Sequence, residues 1–358
     1  MQSKLKFTNS NRSTFFSTVR EKVEAYFTEN ALHKYGNKAM WAKVILFMSA
    51  FVVIYSLILS NPFGNVWALM CLALLLGACN AFIGFNISHD ALHGSLSKKP
   101  WLNKLLGYTF HLIGANPYIW DKTHNQVHHT YTNIAGHDED LDAAGLIRLS
   151  DDDPYKKIHR FQHLYAFPLY GLASLNWVFR KDYHKFYRNI NSRRQKHPKI
   201  EYFNLYFFKF LHLFLFLFLP ILVLDISWWQ VLIGFIAMHA TEGLVMGLVF
   251  QLAHVVEGTD FPEPTAEGQI ENVWAEHQMR TTANFSSSSK LASFFLGGLN
   301  RQIEHHLFPK ICHIHYPAIS KIIKATAQAY QLPYLENRTF FSALLSHYHI
   351  LKSFSTAS

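Results

Sequence analysis

The stretch from Asn65 to His93, NVWALMCLALLLGACNAFIGFNISHDALH, decides the fold. Residues 65–88 carry no charged side chain, and 24 residues of helix at about 1.5 Å each are enough for a hydrocarbon core of about 30 Å. The run then delivers two histidines, His89 and His93, whose four-residue spacing puts them on one helix face. Upstream, residues 42–60 form a second apolar run, separated from the first by only Asn61 to Gly64, so the two read as a transmembrane hairpin. Downstream the pattern recurs: residues 205–224 and 228–253 are apolar and are parted only by Asp225, Ile226 and Ser227. Four spans in two hairpins are predicted.

Composition agrees with a membrane chain. Of 358 residues only 16% are charged, against about 25% in ordinary soluble domains, and 50% are apolar. Disorder, collagen and coiled coil are excluded on the same numbers. Three cysteines, Cys71, Cys79 and Cys312, make neither a disulfide framework nor a zinc-ribbon spacing. Residues 1–41 are polar and lack the apolar core and cleavage site of a secretory signal. No Lys or Arg lies between Val44 and Ser97 or between Phe210 and Met279, so both hairpin tips are free of positive charge. The positive-inside rule then places both termini in the cytoplasm, with Trp228 and Trp229 in the outer interfacial belt. The net charge of +9 is read as this topology rather than as a nucleic-acid surface. Residues 89–204 and 254–340 make a cytoplasmic cap too long to lack structure. Within it 105–119 and 161–179 read as interfacial or partly buried helices. No strand-like alternation and no internal repeat is visible.

Twenty-two histidines exceed what packing needs, and three clusters stand out: His89 and His93; His124, His128 and His129; and Gln302 with His305 and His306. Helical spacing aims each cluster in one direction, and the topology puts all three on the cytoplasmic side. His254, at the end of the fourth span, lies at the same level. Eight imidazoles exceed the needs of one metal ion, so a dimetal site is predicted. Imidazole suits Fe, Cu, Ni and Zn, which leaves the metal open. Asp90, Asp138, Asp140 and Glu304 are candidate acceptors for the outer ring N–H groups. His33, His111, His159, His163, His184, His197, His212, His347 and His349 read as surface or satisfied core residues, while His137, His277, His313 and His315 stay undecided. His239 and Glu242, inside the fourth span, read as a mutually hydrogen-bonded pair. The fold class is therefore an all-α integral membrane protein: four transmembrane helices in two hairpins under a helical cytoplasmic cap that holds the metals.

From about Asn65 to Tyr334 the chain resembles the membrane fatty acid desaturases, whose three histidine boxes match these clusters in order and spacing. The stretch Asn300-Arg301-Gln302-Ile303-Glu304-His305-His306-Leu307-Phe308-Pro309, with Gln302 in place of a histidine, is similar to the third box of front-end and acyl-lipid desaturases. The resemblance implies two non-haem Fe ions, O2 as co-substrate, and a cis double bond cut into an acyl chain carried on CoA or on a membrane lipid. It implies ligand roles for His89, His93, His124, His128, His129, His254, His305 and His306, and leaves a direct role of Gln302 open. Residues 42–340 would be the desaturase domain, 1–41 an N-terminal segment and 341–358 a C-terminal tail. No His-Pro-Gly-Gly signature of a fused cytochrome b5 occurs, so a separate electron donor of ferredoxin or cytochrome b5 type is expected. The basic set Lys156, Lys157, Arg160, Arg180, Lys181, Arg188, Arg193, Arg194 and Lys196 reads first as positive-inside topology, and the same charge would suit docking of that donor, CoA phosphates or anionic lipid headgroups. A bacterial inner membrane is the expected setting.

An unactivated methylene has no acidic proton and no leaving group, so an oxidising metal is required. An apolar tunnel to the metals would select chain position, with Trp120, Tyr131 and Trp274 as candidate wall residues. The competing reading within the same chemistry is a di-iron hydroxylase or ketolase of lipids. The competing class is a haem-binding or metal-transport membrane protein, which would want its histidines or polar groups within the spans.

Overall fold

A computed structural model of the chain describes residues 5–8, 13–138, 140, 145–149, 154–190, 193–194 and 196–356. Among the described residues, four helices are long and apolar enough to cross a membrane: Lys38–Ser60, Val66–Leu92, Lys199–Val223 and Trp228–His254, numbered here as spans one to four. Three of them outrun the apolar stretches seen in the sequence at their basic or histidine-bearing ends, because helical hydrogen bonding does not stop where hydrophobicity does. Asn37 caps span one by accepting from the Met40 N–H at 3.1 Å, four residues or so before the apolar run starts. Span two runs on through a π-helical turn, Gly84–Ser88, to Leu92, so that the first histidine box sits on the end of the span itself.

Ile58 and Leu69 of the first hairpin share an apolar cluster with Leu224, Ile226 and Val231 of the second. Both hairpins therefore turn at the same end of the bundle, and the histidine-bearing ends gather at the other. Spans two and four form the centre. Gly77 permits their close approach, since a Cβ there would run into the Met238 carbonyl oxygen. The main apolar cluster extends from Met40, Val44 and Phe47 of span one through Leu76, Ile83 and Ile87 of span two to Phe235 and Met238 of span four.

Between spans two and three the chain makes short helices, Pro100–Gly107, Gln162–Tyr170 and Ala173–Asn176, together with π-helical stretches Asp121–His128 and Trp177–Lys181. Gly243 of span four lies against this segment, where a Cβ would come within 2.7 Å of the Gly171 carbonyl oxygen. Three short strand pairs complete the cap: Lys6–Phe7 with Gln269–Ile270 (parallel), Asn189–Ile190 with Arg193–Arg194 (antiparallel), and Ala283–Phe285 with Leu335–Asn337 (parallel). At two or three residues each, they are too short for alternation to show in the sequence.

The first and last helices pack onto the cap. Helix Phe15–Glu29 buries Phe15, Val19 and Val23, spaced four apart on one face, against Ile319, Ile323 and Ala327 of helix Tyr316–Ala329. The expected tail is a helix, Phe340–Ser353, that buries Ala343, His347 and Leu351 with the same spacing. His347 is a satisfied core residue: its Nδ1 meets the Val255 carbonyl at 2.6 Å and its Nε2 meets the Tyr170 hydroxyl at 2.8 Å.

Candidate metal centre

Four separate segments bring the histidines together. The end of span two supplies His89 and His93, the π-helical stretch and the turn after it supply His124, His128 and His129, span four ends on His254, and helix Gln302–Leu307 carries His305 and His306. Two groups form. In one, ligand atoms of His89, His93, His124 and His305 all lie within 4.8 Å of one another; in the other, those of His128, His254 and His306 do. His129 stands between them, its ring centroid 4.6 Å from His305 and 4.5 Å from His306. All eight are buried.

The rings are anchored on their outer side. His124 Nδ1 meets Asp140 Oδ2 at 3.0 Å, and His128 Nδ1 meets Asp138 Oδ2 at 2.9 Å. His306 Nδ1 meets Gln278 Oε1 at 2.7 Å, His254 Nδ1 meets the Thr281 carbonyl at 3.3 Å, and His305 Nδ1 meets the Tyr316 hydroxyl at 3.2 Å. Among the described residues, the Nε2 atoms of His93, His124, His128, His129, His254, His305 and His306 are buried without a hydrogen-bond partner. Seven desolvated lone-pair donors, five of them on rings anchored through Nδ1, suit metal ions, because an unpaired buried polar atom is otherwise expensive.

Electrostatics point the same way. Burial, and then the positive potential of neighbouring rings, holds His93, His129, His305 and His306 well below the usual histidine range. Burial pushes His124 down to about 3 although Asp140 pulls the other way. Burial opposes the charged form of His128 too, but Asp138 outweighs it and raises that ring. Neutral imidazoles are the form that binds metal.

A cavity of about 180 Å³ opens beside the rings. His89, His124, His128, His254 and His305 line one side, Phe85, Phe110 and Met246 the apolar side, and Gln302, Trp120 and Lys181 complete the wall. Trp120 stacks on His124 with centroids 4.2 Å apart. Tyr131 and Trp274 do not line the cavity. Tyr131 turns outward against Phe7, and Trp274 donates its Nε1–H to the His129 carbonyl at 2.8 Å while packing on Phe16. Neighbourhood to a histidine in sequence did not fix which way either ring faces.

Of the other two candidate carboxylates, Glu304 sits away from the rings and Asp90 lies beside His89. Glu304 accepts from Asn284 Nδ2 at 2.8 Å and from the Tyr334 hydroxyl at 2.7 Å, touching no ring of the centre; burial raises its carboxyl above the usual range. Asp90 is only 3.9 Å from His89 Nδ1 and spends its Oδ2 on His313 Nδ1 (2.8 Å), the His313 N–H (3.3 Å) and Cys312 Sγ (3.0 Å). Lys43 Nζ closes that group at 2.9 Å from His313 Nε2. Asp90, Cys312 and His313 could themselves hold an ion by spacing. Their polar atoms are, however, satisfied by one another, unlike the rings of the two histidine groups.

His239 and Glu242 do not bond each other. Ser174 joins them, with its Oγ 2.8 Å from His239 Nδ1 and 2.6 Å from Glu242 Oε1, and Asn80 Nδ2 and His212 Nε2 extend the network. Sequence reasoning missed Gln278, Tyr316 and Thr281 because it looked for carboxylates, whereas amide, phenol and carbonyl oxygens serve equally as anchors. The signal available was weak: Gln278 and Thr281 share one face of helix Trp274–Thr281.

The sequence profile described as fatty acid desaturase matches residues 65–338. An sn-1 linoleoyl-lipid 6-desaturase of Synechocystis sp. is 36% identical over 99% of both chains. A protein of the same description from Arthrospira platensis is 34% identical over 95% of this chain and 92% of its own. An acyl-lipid (8-3)-desaturase of Physcomitrium patens is 31% identical over 97% of this chain and 73% of its own. With four apolar spans and a histidine-built metal centre beside an apolar cavity, the chain belongs to the fatty acid desaturase family and is a membrane oxidoreductase that desaturates acyl chains.

Proposed function

We propose that the chain introduces a cis double bond into a lipid-linked acyl chain, using O2 at a di-iron centre. One iron would be held by His89, His93, His124 and His305, the other by His128, His254 and His306, with His129 between them and Gln302 facing the substrate. The observation that carries this reading is the set of unpaired Nε2 atoms gathered in one place, those of His124, His128, His254 and His305 on residues that line an apolar cavity. Iron bound there supplies O2 reduction and the removal of two hydrogens, chemistry that no side chain offers an unactivated methylene. The protein's own part is orientation and exclusion. Asp138 and Asp140 keep the protons of His128 and His124 on Nδ1 and so aim both Nε2 atoms inward. Phe85, Phe110 and Met246 hold the chain and keep water from it.

A lipid-linked substrate is supported by the similar proteins, which are named as acyl-lipid desaturases. Residues 42–340 would form the catalytic unit. The basic flanks of the spans support both termini on the cytoplasmic side, and two cyanobacterial proteins that match over nearly their whole length support a bacterial inner membrane. Two electrons per turnover would come from a separate ferredoxin or cytochrome b5 type donor. Lys156, Lys157, Arg160, Arg180 and Lys196 are exposed on the cap and suit an acidic partner; the side chains of Arg193 and Arg194 lie outside the described residues.

The test is expression in a host with a simple fatty acid profile, beside a His305→Ala, His306→Ala double variant, with methyl esters read by gas chromatography after double-bond derivatisation. New cis-unsaturated products confined to the intact protein are expected. Hydroxylated products instead would make it an oxygenase, and no oxidised product from iron-loaded protein supplied with a donor would overturn acyl chains as substrate.

A further inference from the structure

We propose that Lys181 holds the ester end of the acyl chain and thereby sets the distance from the carboxyl carbon at which the double bond is placed. The proposal rests on the desaturase reading above. Lys181 ends the π-helical stretch Trp177–Lys181 and lines the same cavity as His89, His124 and His305; among the described residues it is the one Lys or Arg to do so. Its side chain is 22% exposed, so it reaches solvent as well as the cavity. Its Nζ bonds Asp140 Oδ1 at 3.3 Å and lies 5.6 Å from the centre of the Trp177 ring. An ammonium has three N–H donors, and one acceptor leaves two for a ligand. The basic residues of the outer cap have no such access to the cavity, which separates Lys181 from a general positive surface.

Distance gives the anchor its meaning. The other oxygen of Asp140 accepts from His124 Nδ1 at 3.0 Å, so one carboxylate group bridges the ammonium to a metal-facing ring and keeps it within about 9 Å of that ring's Nδ1 and about 11 Å of its Nε2. At about 1.3 Å of advance per carbon–carbon bond, fewer than about ten carbons counted from the ester cover that separation. An ester carbonyl bonded to Lys181 therefore brings methylenes near the carboxyl end to the metals, whereas holding the methyl end would bring a distant part of the chain there. Asp140 does not depend on Lys181 alone for a counter-charge, because Lys185 Nζ is 3.6 Å from the same Oδ1. A loss of substrate reading can thus be separated from a loss of metal.

The experiment compares the intact protein with Lys181→Met, Lys181→Gln and Lys181→Arg in the expression host, reading double-bond position, apparent KM for the acyl lipid, and iron content of purified protein. Lys181→Met should keep its iron, raise KM about tenfold, as loss of a charge-assisted hydrogen bond does, and spread the double bond over neighbouring positions. Lys181→Arg should restore a single position, and Lys181→Gln, which keeps N–H donors without charge, should fall between. Unchanged position and KM in both Met and Gln variants, or loss of iron in both, would overturn the proposal and leave Lys181 as a counter-charge for Asp140. If the intact protein makes no unsaturated product, the desaturase reading itself fails.

Discussion

At the scale of single residues, the centre separates carboxylates that touch a ring from those that do not. Asp138 Oδ2 accepts from His128 Nδ1 and also from the Asn133 N–H at 3.0 Å, so it fixes the ring and is itself fixed. Asp138→Asn should weaken metal binding about 10- to 100-fold, measured by competition with a chelator of known affinity. Glu304→Gln should leave metal affinity unchanged and lower only thermal stability, since Glu304 ties its helix to Asn284 and Tyr334. The rings themselves were legible in the sequence because three spacings and one sidedness agree. Their outer partners were legible only where the acceptor is a carboxylate nearby in sequence, as Asp138 and Asp140 are. The rings also predict a pH dependence for the metal-free protein. His93, His129, His305 and His306 take up protons in the folded chain only well below about 6.5, the value at which they do so when unfolded. Below about pH 6.5 the unfolded chain therefore binds more protons, and stability falls as pH falls; above it this contribution is constant. Thermal unfolding of metal-free protein in detergent should show a midpoint that declines from about pH 6.5 toward pH 5, the four lowered rings outweighing His128, which Asp138 shifts the other way. A midpoint that does not move by pH 5 would mean the cluster accepts protons while folded.

At the scale of elements, the spans could be found from their apolar runs, but their ends could not, since caps such as Asn37 and the π-turn at Gly84–Ser88 leave little trace in hydrophobicity. Which faces meet was also hidden. Gly77 looks like any glycine in an apolar run, yet it is where span two lies against the Met238 carbonyl of span four. Gly77→Ala should destabilise the protein by about 1–3 kcal/mol, the usual result of overfilling a packed contact that only backbone movement can relieve. Gly234→Ala is the matched control: the nearest atom to a Cβ there is Ala73 Cβ at 3.9 Å, and helix propensity favours Ala over Gly. A lower unfolding midpoint for the first and an equal or higher one for the second are expected in the same detergent. The polar network at Ser174 belongs to this scale too. It was read as a bonded pair within one helix because His239 and Glu242 are three residues apart, but Ser174 comes from the segment before span three and Asn80 from span two. With His212 of span three it therefore ties four elements together where each polar group would otherwise lie unpaired among apolar side chains.

At the scale of the whole molecule, the bundle and the cap are held by different forces. The bundle is packed by apolar side chains from Met40 through Ile83 to Met238 and by the glycine contact at Gly77, none of which involves the metal centre. The cap instead folds around rings carried by residues 89–93, 124–129, 254 and 305–306, segments far apart in sequence, and leaves seven buried Nε2 atoms unpaired until metal is bound. Binding to the folded state alone stabilises it by about 2.7 kcal/mol at a free ligand concentration one hundred times the dissociation constant. Removing metal should therefore loosen the cap before the bundle. Hydrogen exchange of chelator-treated protein in detergent should rise in residues 121–131 and 302–307 while the span two core around Gly77 stays protected, and iron should restore the protection. Equal rises in both regions would show that the histidine centre also holds the spans together.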